Sequence, residues 1–102
     1  MKTLMIVTRS SMTSTLEDFL HDIGINAYSL LNKVEGKGAT GKVPGPFTMY
    51  SDVNTMILAV VPSDQVDRAV SAFRAFHAER IKATHGQPVP FKLFSFPCEE
   101  II

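Results

Sequence analysis

The apolar positions of the chain change period as it proceeds, and the order of those periods predicts the elements. Residues 2–8, KTLMIVT, form an apolar and β-branched run that predicts a buried strand. In the following MTSTLEDFLHDIG, Met12, Leu16, Phe19, Leu20 and Ile23 recur at helical spacing, with Glu17, Asp18 and Asp22 on the other face. Ser10, Ser11 or Thr13 supplies N-cap chemistry, and Gly24 suits the residue just past the helix. Residues 26–36, NAYSLLNKVEG, alternate imperfectly as a strand, whereas 54–61, NTMILAVV, predict a central one. Pro62-Ser63-Asp64 opens a second helix, with Ser63 as its cap and Asp64 on the positive end of the helix dipole. Val66, Ala69, Val70, Phe73, Phe76 and Ile81 form the inner face of that helix, which runs to about Ala83 and is broken by His85-Gly86-Gln87-Pro88. The last strand, 89–96, places Phe91 and Leu93 on one side and Phe94 and Phe96 on the other, and Pro97 ends it.

The predicted order is strand, helix, strand, long loop, strand, helix, strand in one domain, 1–102. With right-handed crossovers it closes into an α+β, ferredoxin-like βαββαβ plait: a four-stranded antiparallel sheet with two helices on one face. Apolar residues on both sides of the last strand imply that the open face is covered by another subunit.

The connection between the second and third strands breaks this regular pattern. Residues 34–52, VEGKGATGKVPGPFTMYSD, combine Gly36, Lys37, Gly38 and Gly41 with a Pro44-Gly45-Pro46 kink and an aromatic exit through Phe47 and Tyr50. Proline lacks the amide donor and glycine weakens helices, so neither a regular helix nor a central strand fits. A loop of about a dozen residues where hairpins use two to five is usually functional or disordered.

Composition narrows the classes. Ten basic and ten acidic residues cancel, and the absence of a basic stripe argues against nucleic acid as a partner. A chain of 102 residues, 45% of them hydrophobic, builds a real core but gains from oligomerising. A single cysteine, Cys98, forms no internal disulfide and suits a cytoplasmic setting. No apolar run is long enough to span a membrane, and the opening MKTLMIVTRSS lacks the features of a signal peptide.

At four places the residues resemble the PII signal-transduction proteins and their PII-like relatives. Ile23-Gly24-Ile25 resembles the exit of that family's first βα unit. Val34-Glu35-Gly36-Lys37-Gly38 resembles its V-K-G-x-G entry to the T-loop. Val60-Val61-Pro62-Ser63-Asp64-Gln65-Val66-Asp67 resembles its V-V-P-D-D-x-V-D passage, and Lys92-Leu93-Phe94 its K-I-F. The resemblance implies a homotrimer whose sheets line the centre, with flexible T-loops, here about 37–53, that touch a target protein such as a transporter or metabolic enzyme. It implies no covalent cofactor, and adenine nucleotide bound in clefts between subunits. Ser29 falls where the family has a hydroxyl near the adenine, and Val60 where backbone reads the base. Gly36 and Gly38 let backbone approach a phosphate, and Lys37 and Lys92 supply charge. Pro44, Gly45, Pro46, Phe47 and Tyr50 would form the partner-binding loop.

The chain also departs from the family. Where the B-loop is usually G-D-G-K, Val89-Pro90-Phe91-Lys92 stand here, and Gly86-Gln87 are expected to substitute. The family's R-x-R would fall just beyond Ile102, and the T-loop is several residues shorter. Lost positive charge implies ADP or AMP rather than ATP, or a small anion such as bicarbonate.

The remaining candidates carry blander readings. His21 is a solvated helix residue, His77 and His85 are too far apart for a metal pair, and Cys98 has no evident base beside it. Glu99 and Glu100, adjacent in an extended chain, point to opposite sides and make no catalytic dyad. No catalytic constellation is visible and no metal ligand is assigned, so the expected class is a regulator and not an enzyme. Two alternatives remain: a divalent-metal-handling trimer like the CutA proteins, which share the fold, and a non-sensing oligomeric scaffold.

Overall fold

The computed structural model describes residues 1–34 and 54–102. The chain order is β1 (Lys2–Arg9), a single 3-10 turn (Ser10–Met12), α1 (Thr13–Asp22), β2 (Ser29–Val34), β3 (Asn54–Val61), α2 (Ser63–Ala83) and β4 (Phe91–Pro97). The sheet is antiparallel throughout, in the order β2-β3-β1-β4, so β2 and β4 form its edges. This is the expected ferredoxin-like arrangement.

Strand register sorts the side chains. Leu4 opposes Ala59, Ile6 opposes Ile57, and Thr8 opposes Thr55, all on the helix-covered face. There Leu4, Ile6, Ile57 and Ala59 join Leu16 and Leu20 of α1 and Val66, Ala69 and Phe73 of α2 in one buried cluster. Aromatic rings knit the layers together. Phe19 of α1 meets Phe73 edge-on with centroids 4.9 Å apart and stacks on Phe76 at 4.4 Å. Phe91 of β4 approaches Phe73 and Phe76 at 6.4 and 5.8 Å. Such pairs add about 0.5–1.5 kcal/mol beyond their buried area.

Both helices stop as their sequences dictate. At α1 the Gly24 amide bonds the His21 carbonyl and the Ile25 amide bonds that of Leu20, with Gly24 at φ 85°, a Schellman closure. The same pair of bonds closes α2, His85 to Lys82 and Gly86 to Ile81. Here the left-handed residue is His85, at φ 56°, a conformation that costs a residue with a Cβ. The helix starts differ from expectation. No side chain caps α1, because the 3-10 turn feeds it directly: the Thr13 amide bonds the Ser10 carbonyl, and the Ser10 hydroxyl is engaged with Thr55. Ser63 does not cap α2. It is the first helical residue, and its hydroxyl oxygen accepts from the Met1 ammonium at 2.7 Å.

The second strand is shorter than the expected 26–36 and the last is shifted from 89–96. In β2 the pairing slips between Leu31 and Val34, where Lys33 takes φ 57° in a bulge.

Candidate functional site

Among the described residues, the features that point to binding lie on the open sheet face and along the free edge of β4. On that face Thr3, Met5 and Val7 of β1 oppose Val60, Leu58 and Met56 of β3 and, on the other side, Phe96, Phe94 and Lys92 of β4. Leu31 of β2 lies opposite Met56. Val60 is 52% exposed, Phe94 47% and Phe96 42%, and no helix reaches them.

Three of the expected ligand residues share this face. Ser29 begins β2 opposite Leu58, Val60 is in β3, and Lys92 is in β4 opposite Val7. They are not gathered within one chain. Ser29 is on one sheet edge and Lys92 on the other, three strand spacings apart, or about 14 Å. Gly86 is elsewhere, at φ 87° in the connection that leaves α2, with no described residue within 4 Å of where a Cβ would stand. Gly36, Lys37 and Gly38 lie outside the described residues, as do Pro44, Gly45, Pro46, Phe47 and Tyr50.

Hydroxyls pin one end of the sheet, where the end of β1 meets the start of β3 and the approach to β4. Thr8, buried at the end of β1, donates to the Pro90 carbonyl at 3.1 Å, and the Arg9 amide donates to the same oxygen at 3.0 Å. This fixes the α2–β4 connection just ahead of Lys92. Beside it the Ser10 and Thr55 hydroxyls are 2.8 Å apart, which anchors the start of β3. Buried hydroxyls need such partners, since an unpaired one costs about 1–3 kcal/mol.

A groove of about 500 Å³ runs between α2 and the free edge of β4, lined by Val70, Phe73, Arg74, His77 and residues 91–95. Among the described residues no carboxylate lines it. The His77 ring stands edge-on to Phe91, with centroids 5.5 Å apart, and Lys92 sits at the rim. Sequence reasoning weighed His77 only as a metal ligand and did not single out Arg74. The available signal was the stripe Val70, Arg74, His77 at i, i+4 and i+7, next to the inner face of α2. Among the described residues no group of three His, Cys, Asp or Glu side chains is placed to hold a metal, and no helix is long and apolar enough to cross a membrane.

The family model for nitrogen regulatory protein P-II matches residues 1–102. No curated protein matches the chain. Among solved structures, the chain is similar to CPII, a nitrogen regulatory PII-like protein from Thiomonas intermedia K12. The CPII structure bound to ADP, AMP and bicarbonate superposes with a TM-score of 0.69 at 23% identity, covering 93% of this chain and 82% of that one. The structure bound to ADP, AMP and acetate gives 0.64 at 21% identity, with 92% and 81% covered. The structure bound to ADP and bicarbonate gives 0.62 at 22%, with 93% and 84% covered.

Proposed function

The chain belongs to the nitrogen regulatory protein P-II family, and on that premise we propose that it works as a cytoplasmic homotrimeric sensor without catalytic activity. It binds an adenine nucleotide, ADP or AMP in preference to ATP, or a small anion such as bicarbonate, in clefts between subunits. Binding biases the 37–53 loop between a free state and one docked on a target protein, with Phe47 and Tyr50 as anchors. The ligand must favour one loop state over the other, since equal affinity shifts nothing.

One observation carries this reading: the ligand residues share a sheet face but stand on opposite edges, Ser29 on β2 and Lys92 on β4. Copies meeting edge to edge unite Ser29 of one with Lys92 of the next, which a single chain cannot do. The exposed apolar side chains of that face favour the same association. The modest positive charge at hand, Lys37 and Lys92, suits one or two phosphates or a bicarbonate better than a triphosphate. The ligands of the CPII structures, ADP, AMP and bicarbonate, fall within this class.

The test is a thermal melt with AMP, ADP, ATP, bicarbonate and divalent metals added singly. A ligand at a hundred times its Kd adds about 2.7 kcal/mol. The expected result is a shift with ADP, AMP or bicarbonate that Lys92→Ala removes. A shift with metals alone would favour the metal-handling alternative, and no shift at all would favour a scaffold.

A further inference from the structure

The free edge of β4 gathers more positive charge than Lys92 alone. Lys92 is on the open-sheet side, opposite Val7. Round the same edge, on the helix side, Arg74 and His77 of α2 line the groove of about 500 Å³ over Phe73, Phe91 and Leu93. Lys92 lines it too, so the two sides meet along one strand. An apolar floor with a few convergent polar groups, in a space of this size, is the usual composition of a small-ligand site.

The charges in the groove are of one sign. The chain has ten acidic residues for ten basic ones, yet no carboxylate lines the groove among the described residues. The other two arginines of α2 are engaged elsewhere. Arg80 stands over the Phe76 ring, 5.5 Å from its centroid, and the Arg68 guanidinium is 3.9 Å from where a Cβ on Gly24 would stand. Arg74 is exposed, while the half-buried His77 ring is held edge-on by Phe91. A guanidinium fork and an imidazole N–H on one concave surface suit a phosphate, which accepts two parallel bonds from arginine.

We infer that Arg74 and His77 bind the phosphate of the adenine nucleotide, reaching it from the helix side of the β4 edge while Lys92 reaches it from the open-sheet side. Arg74 adds the bidentate donor that Lys37 and Lys92, as point charges, do not provide. The nucleotide and the place of Lys92 beside it belong to the function proposed above, on which this inference rests.

The test is calorimetric titration of the full chain with ADP, AMP, adenosine and bicarbonate, for the wild type, Arg74→Ala, Arg74→Lys and His77→Ala. Removing charge-assisted hydrogen bonds should weaken ADP and AMP about thirty-fold in Arg74→Ala and about five-fold in His77→Ala. Arg74→Lys keeps the charge without the fork and should fall between Arg74→Ala and the wild type. Adenosine has no phosphate and should bind the wild type and the variants alike, whereas a merely structural role would weaken it as well. ADP and AMP binding unchanged in both alanine variants, or adenosine weakened as much as AMP, would overturn the inference and leave the sensor standing. A wild type that binds bicarbonate and no nucleotide would also overturn it and leave a bicarbonate sensor. A wild type that binds none of these ligands would overturn both.

Discussion

The two faces of the sheet are built from the same strands and treated in opposite ways. On the helix side Ile6, Ile57, Leu16 and Leu20 are fully excluded from water, and Phe73 is at 2% exposure. On the other side Met5, Leu58, Val60, Phe94 and Phe96 form an apolar surface that neither helix covers, with Val60, Phe94 and Phe96 exposed among the described residues. A chain of this size closes one core within itself, and the proposed function assigns the second apolar face to association. On the proposed trimer the contrast separates two energies: the helix-side core determines whether the chain folds, and the open face determines whether copies meet.

Substitutions at paired aromatic positions sharpen this most. Phe73→Ala should cost about 3–5 kcal/mol of folding stability, measured by urea unfolding, because it empties the middle of the aromatic cluster. Phe94→Ala, one residue type on the other face, should leave the folding of the isolated chain nearly unchanged and weaken association. Equal losses of folding stability at both positions would break the distinction.

A smaller effect lies where α1 meets the approach to β2. The Tyr28 hydroxyl donates to Glu17 at 2.6 Å, and that bond, with burial and the negative charges of Glu17 and Asp18, raises the phenol above its ordinary value of 10.0. The folded state thus holds the phenolic proton more tightly than the unfolded chain. The contribution is fully present below about pH 10 and is lost as pH rises through the raised value. Tyr28→Phe should cost about 1 kcal/mol at neutral pH and flatten the alkaline limb of a stability–pH profile. An unchanged alkaline limb would show that the bond does not form.

The smallest expected effect is a gain. His85 closes α2 in a left-handed conformation that glycine adopts freely, so His85→Gly should raise stability by about 0.5 kcal/mol, seen as a small rise in Tm. The open face and its association should not respond.

The fold was largely legible in the residues. The 54–61 strand, the 63–83 helix and the sidedness of Phe91 and Leu93 against Phe94 and Phe96 follow from period and composition, because burial of one face dictates both. Helix starts were less legible. Serines mark a start by what they can donate or accept, but a 3-10 turn satisfied α1 through backbone, and Ser10 and Ser63 were taken by Thr55 and Met1. These partners are 45 and 62 residues away in sequence and leave no local trace. The site was legible only in part. Ser29, Val60 and Lys92 fall on one face of the sheet, but their separation across it depends on strand order. Arg74 and His77 were hidden because a stripe of polar residues beside an apolar one usually means a solvated helix face.

The most direct test of the central claim is the mass of the purified chain by light scattering, for the wild type and for Phe94→Asp. The account predicts three times the 11.2 kDa chain mass for the wild type and a folded single chain for Phe94→Asp. A wild type at the mass of one chain, or a Phe94→Asp variant that remains a trimer, would contradict it.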